Sequence, residues 1–330
     1  MVRKLKAFAV GVFSVAAGIG ILGLAGLLHA QSDYPGKPVR VIVPFPAGGT
    51  SDVMGRMLAD ELTRVLKQPV IVENIGGAGG VIGIERALKL APDGYTLIQT
   101  GVGQNAVAHG LEPIPKYDSK ADFLHLTQVH HGPNVLVVNS GMRFKSLRDM
   151  VDYARSNPGK VDYGYTPAAS GHMAMELFKQ TAKIALTGIP YRGGGPMMTD
   201  ILGGQIPMMF INQDVALAHV QSGRLRALAV TSSKRNPLYA EVPTIAESGY
   251  PGFEALSWSG VSIAKGTPAP IAEKVETAVM QAMNSANIRK RLESNGFVVP
   301  PLGPKIYTEF VAREVDQWTS VIRKAGIKSL

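Results

Sequence analysis

The order of apolar runs along this chain predicts an α/β fold of two lobes, the first built from both ends of the sequence. Three observations lead there. Short β-rich runs alternate with stretches of helical periodicity, the pattern of a sheet covered by helices on both faces. The alternation pauses near 111–133 and then restarts. A late apolar run at 257–264 follows the second set and returns toward the first lobe. The 330 residues are enough for two α/β domains with cores of their own.

The elements follow in order. Val39–Val43 is a continuous apolar strand, and 52–66 places Val53, Met57, Leu62 and Val65 on one helical stripe. A strand at 70–73, a Gly-rich turn, a helix near 81–90 and a strand at 95–100 continue the alternation, which predicts a parallel sheet. Pro113, Pro115 and Pro133 mark the pause, and 134–138 opens the second set. Helix Leu147–Ser156 starts with Ser146 and Asp149 in a capping-box-like pattern. Strands at 161–165, 185–189, 208–211 and 226–230 alternate with helices at 172–182, 196–202 and 214–221. Pro237, Pro243, Pro251 and Gly252 make a second irregular passage. Helices near 270–285, 286–294 and 306–325 close the chain. The expected division is a signal peptide at 1–31, a discontinuous first lobe at 32–132 and 256–330, and a second lobe at 133–255.

The start of the chain predicts export. Arg3, Lys4 and Lys6 form a positive region, 7–28 is uncharged and apolar, and Ala30 offers a small residue before Gln31. The run is long enough to span a bilayer, so an uncleaved anchor is the alternative. Five glycines dilute it and a polar stretch follows at once, which favours cleavage. With no Cys, the chain has no disulfide, lipoprotein anchor or thiolate chemistry. Removing the three basic residues of 1–31 takes the formal charge from +9 to +6, a mild excess that steers anions inward. No basic-aromatic cluster points to nucleic acid.

Gly-rich turns carry the candidate chemistry. Val43-Pro44-Phe45-Pro46-Ala47-Gly48-Gly49-Thr50-Ser51-Asp52 runs from a strand into a helix. Such a turn lies outside the carboxyl end of its strand, where open α/β sheets bind ligands. Its unpaired N–H groups and the helix dipole suit a carboxylate or phosphate. The alternative is a plain turn with Asp52 as N-cap, the reading favoured for Asp52 itself. A faint echo, Ile189-Pro190-Tyr191-Arg192-Gly193-Gly194-Gly195, predicts a second such turn facing the first. Gly76 to Gly83 carries a degenerate dinucleotide-like spacing, but the next strand ends in Gln99 and Thr100 rather than an acid, so helix–sheet packing is favoured. Gly103, Gln104 and Asn105 follow the third strand, with ligand and cap readings both open. Ser170, Gly171 and His172 open a helix, with His172 favoured as its anchor. Asn212, Gln213 and Asp214 follow a very apolar strand. His125, His130 and His131 lack metal-pair spacing, and no nucleophile-elbow motif is present. No cofactor or metal is expected.

Five ordered pieces resemble the Bug family, the extracytoplasmic receptors of tripartite tricarboxylate transporters. They are Tyr34-Pro35 through Gly49; Val70-Ile71-Val72-Glu73-Asn74 with its Gly run; Pro92-Asp93-Gly94-Tyr95-Thr96-Leu97; Pro190-Tyr191-Arg192-Gly193-Gly194; and Gly223-Arg224-Leu225-Arg226-Ala227-Leu228-Ala229-Val230-Thr231. The resemblance covers essentially the whole chain after the export segment. It implies a type II periplasmic-binding fold, with parallel-rich sheets joined by crossing strands, and closure on a small carboxylate. It implies that Phe45, Ala47, Gly48, Gly49, Thr50 and Asp52 grip the carboxylate. Gly103, Gln104, Asn105, Ser170, Gly171, His172, Tyr191, Arg192, Gly193 and Gln213 would supply the remaining contacts. It further implies a periplasmic monomer serving a membrane permease and no catalysis. An envelope sensor docking a signalling partner, or an enzyme using the anion site, are the rivals. The chain departs from the family's small hydroxyl residues at Gly103 to Asn105, from its Gly/Ser run before His172, and from its small residues at Asn212 to Asp214. Those positions shape the distal half of the pocket.

Overall fold

The computed structural model describes residues 34–300 and 303–327. The export segment expected at 1–31 lies outside them. Among the described residues no helix is long and apolar enough to cross a membrane.

The chain alternates much as its sequence predicts. The order is β1 (Val39–Val43), α1 (Thr50–Leu66), β2 (Val70–Asn74), α2 (Val81–Leu88), β3 (Thr96–Gly101), the single turn α3 (Val102–Asn105) and β4 (Phe123–Asn139). Then come α4 (Leu147–Ser156), β5 (Asp162–Tyr165), α5 (Ser170–Ala182), β6 (Thr187–Pro190), α6 (Gly194–Leu202), β7 (Met208–Asn212), α7 (Gln213–Gln221) and β8 (Leu225–Val230). β9 (Leu256–Ala264) and helices α8 (Ala269–Met283), α9 (Ala286–Ser294) and α10 (Pro304–Ala325) complete the chain.

The sheet is mixed, in keeping with the expected parallel-rich strands joined by crossing strands. Its order is β2-β1-β3-β9-β4-β7-β5-β6, with β8 also on β4. The two ends are parallel: β1 pairs β2 and β3, and β5 pairs β6 and β7. The centre is antiparallel: β9 pairs β3 and β4, and β4 pairs β7 and β8. One correction concerns β4 itself. Its first half, 123–133, occupies the stretch expected to be irregular. It pairs β9 as far as Pro133↔Leu256, and from Asn134 onward it pairs β7 instead. Proline has no N–H for a ladder, so Pro133 suits the point where the strand changes partners.

Two large cores flank this crossover. One packs β1, β3 and β9 against α1, α8 and α9 through Met57, Leu62, Leu97, Val261, Val279 and Ile288. The other packs β4, β7 and α5 through Leu136, Phe178 and Phe210, and takes Tyr307, Val311 and Trp318 from α10. The late elements β9, α8 and α9 thus pack with β1 and β3, while α10 joins the other core.

Candidate functional site

A cavity of about 1130 Å³, including the space open at its mouth, lies at the carboxyl ends of β1, β3, β5, β6 and β7. That is where parallel strands hand over to helices, so helix N-termini collect there. The first turns of α1, α5, α6 and α7 all border it, with Thr50, Ser170, Gly194 and Val215 on the wall. Their N-caps are Gly49, Ala169, Gly193 and Asn212, and none makes a side-chain capping bond. Remote from the cavity, α4 and α9 are capped by Ser146 and Ser285. The starts of α1, α5 and α6 thus have no side-chain cap at the N-cap position, whereas on α7 the Asp214 carboxylate takes the Asp214 and Val215 N–H groups. Among the described residues the wall contains no Asp, Glu or Lys, and Arg192 is its one cation, since burial keeps His130 and His172 neutral.

The structure brings together Phe45, Ala47, Gly49, Thr50, Gly103, Gln104, Ser170, Gly171, His172, Arg192 and Gly193 of the expected residues. Gly48, Asp52, Asn105, Tyr191 and Gln213 are not among the residues lining the cavity. Gly48 has a φ of +90°, a conformation that favours glycine in this turn. Asp52 is not the N-cap. The helix starts earlier, and the Asp52 Oδ2 accepts the Gly48 N–H at 3.0 Å. Burial raises the Asp52 carboxyl, but the Arg56 guanidinium and the Gly48 N–H hold it below the usual range. The Asn105 Oδ1 accepts the Gly101 N–H at 3.0 Å and braces the α3 turn. The Tyr191 hydroxyl donates to Asp200 at 2.6 Å. Gln213 is fully buried and ties α7 to the chain after α9 by donating to the Asn295 carbonyl at 3.0 Å.

Several wall residues are also held in place. The His172 ring stacks on Tyr165 at 4.2 Å and its Nδ1 accepts the Ala168 N–H at 3.3 Å, which is the anchoring arrangement expected of it. Burial depresses its pKa to about 4, so the ring is neutral at pH 7. The Ser170 hydroxyl donates to Asn134 Oδ1 at 3.1 Å. Thr50 Oγ1 donates to Asp214 Oδ1 at 2.7 Å, joining the first turns of α1 and α7. Burial pushes Asp214 up to about 6, against the pull of Thr50 and the Val215 N–H.

Sequence reasoning missed the floor. His130 of β4 and Ser257, Trp258 and Ser259 of β9 line it, with Phe210 and Ile211 of β7. These lie on the antiparallel centre of the sheet, and no turn motif announces them. The spacing of Ser257 and Ser259, two apart on one face of a largely apolar strand, is the one available signal.

Residues 54–327 match the family described as "Tripartite tricarboxylate transporter family receptor". Protein BugT of Bordetella pertussis (strain Tohama I) is 37% identical over 321 residues, covering 97% of each chain. Among solved structures, an R. palustris protein with adipate is 32% identical at a TM-score of 0.86, covering 90% of this chain and 100% of that one. MatC from Rhodopseudomonas palustris with bound malate is 30% identical at a TM-score of 0.83, covering 88% of this chain and 100% of that one.

Proposed function

Because this chain belongs to the tripartite tricarboxylate transporter receptor family, we propose that its cavity captures a small organic carboxylate in the periplasm for that transporter's membrane permease. The fold is the mixed α/β fold of periplasmic solute-binding proteins. The observation that carries the reading is the meeting of three helix starts without a side-chain cap, those of α1, α5 and α6, on a wall with no acidic side chain among the described residues. A carboxylate leaving water needs several donors to replace its hydration, and unpaired amides at helix ends supply them without a rearrangement. The relatives solved with malate and with adipate support the same ligand class.

The contacts proposed are those on the wall. Gly49, Thr50 and Ala47 meet the ligand from one side, Ser170, Gly171, Arg192 and Gly193 from the other. Asp52, Gly48 and Asn105 hold the turns that present these groups. Residues 32–132 with 256–330 act as one lobe and 133–255 as the other, and ligand contacts from both favour the closed state. The role is capture and delivery, with no covalent step.

A thermal-shift screen of mono-, di- and tricarboxylates tests this. A fitting acid at one hundred times its Kd should add about 2.7 kcal/mol to stability and raise the melting temperature. Clear hits among sugars or cationic solutes, with none among carboxylates, would defeat the reading.

A further inference from the structure

Resting on that carboxylate reading, we propose that the floor of the cavity is a neutral polar subsite, with His130 as its specificity-determining residue, that selects acids carrying a second group that is uncharged and hydrogen-bonding: a hydroxyl, carbonyl or amide. The floor holds polar side chains that are buried and have no partner. His130 is 1% exposed, and neither ring nitrogen has a hydrogen-bond partner. Ser259, its pairing partner across β4 and β9, is 5% exposed with an unpaired Oγ. Gln104 is 2% exposed, and its Oε1 is also unpaired. All three line the cavity. Just behind them, Asn134 Nδ2 is a further buried donor without a partner, while its Oδ1 takes the Ser170 hydroxyl.

Buried polar groups left unpaired are costly, so such a cluster marks where an occupant completes the bonding. The chemistry of the set says which occupant. His130 packs against Phe297 with ring centroids 4.3 Å apart, and burial, with His131 beside it, depresses its pKa to about 3. A neutral imidazole offers one donor and one acceptor. Ser259 offers both roles, and the unpaired Gln104 atom is an acceptor. No formal charge sits among them. A second carboxylate placed there could use the donors but would be repelled by the Gln104 and imidazole acceptors with no cation to offset them, whereas a hydroxyl or amide both gives and receives. The cation of the cavity, Arg192, lies on the turn before α6 rather than on the β4–β9 floor.

Isothermal titration of the purified protein with unbranched acids of three to six carbons tests the subsite. Each acid would end in a methyl, a hydroxyl, a primary amide or a second carboxylate. At the best chain length, the hydroxyl- or amide-ended acid should bind about tenfold more tightly than the methyl- and carboxylate-ended ones. His130→Phe should bring the methyl- and hydroxyl-ended acids to within about threefold of each other. Ser259→Ala should move the ratio in the same direction by a smaller step. Tightest binding by a methyl- or carboxylate-ended acid would overturn the subsite while leaving carboxylate capture standing. So would an unchanged ratio in both variants, the result expected if water alone fills the floor. No binding by any acid in the series would overturn the capture reading and this subsite with it.

Discussion

Thr50 and Asp214 join the first turns of α1 and α7, one hydroxyl giving its hydrogen to one carboxylate at 2.7 Å. No cation stands among the groups acting on Asp214, so burial raises its pKa to about 6 despite Thr50 and two backbone N–H groups. Because the folded pKa lies above the usual value, the folded state binds this proton more readily than the unfolded one. The Asp214 contribution to stability is therefore full below about pH 4 and is lost as pH rises through about 6. Asp214→Asn keeps an acceptor for Thr50 and removes the charge. Relative to the parent protein, the variant should gain a few degrees of melting temperature at pH 7.5 and lose that advantage at pH 4. A pH series of thermal melts on both proteins measures the difference. Asp214 also shows how far a single residue was legible. Its place after an apolar strand, beside a cleft, follows from the sequence. Its partner, 164 positions away, does not, because nothing local records which helix start will face it.

At the scale of elements, the cavity is a set of strand–turn–helix handovers brought edge to edge. Gly103 shows how tight the fit is. A Cβ there would stand 2.8 Å from the Ala168 carbonyl oxygen and 3.3 Å from that of Gly79, so the α3 turn, the turn before α5 and the turn before α2 nearly touch. Gly103→Val should therefore prop these turns apart and weaken carboxylate binding by about tenfold, or ~1.4 kcal/mol, with the far-ultraviolet circular dichroism unchanged. Titration calorimetry reads the loss. The turns themselves were legible, because glycines after an apolar run and before a helical stripe are a local signal. The first half of β4 was not. Polar and proline residues within 123–133 resemble a loop, and they become a strand only because β9 lies alongside to pair with them. The same pairing sets His130 and Ser259 side by side, so the floor of the site was as hidden as the strand that carries it.

At the scale of the whole molecule, the proposed closure around a ligand is open to spectroscopy and scattering. The chain has two tryptophans. Trp258 lines the cavity, and Trp318 lies on α10; both indoles donate to Glu314, at 2.6 and 3.2 Å. Ligand entry changes the surroundings of Trp258 directly. The emission change on adding a bound acid should survive Trp318→Phe and vanish in Trp258→Phe, which a fluorescence titration would reveal. If the proposed lobes close by hinge motion, small-angle scattering should also show the radius of gyration falling when ligand is added.

The sequence by itself determined the alternation of strands and helices, the positions of the Gly-rich turns, and the family to which the chain belongs. These are written in local composition and in the period of apolar residues, which depend on neighbours along the chain. Only the tertiary structure decided that the sheet is antiparallel at its centre and that four helix starts share one wall. Those facts, and the unpaired His130 on the floor, depend on which distant segments pair. Such pairing is set by the packing of whole faces rather than by any short run of residues.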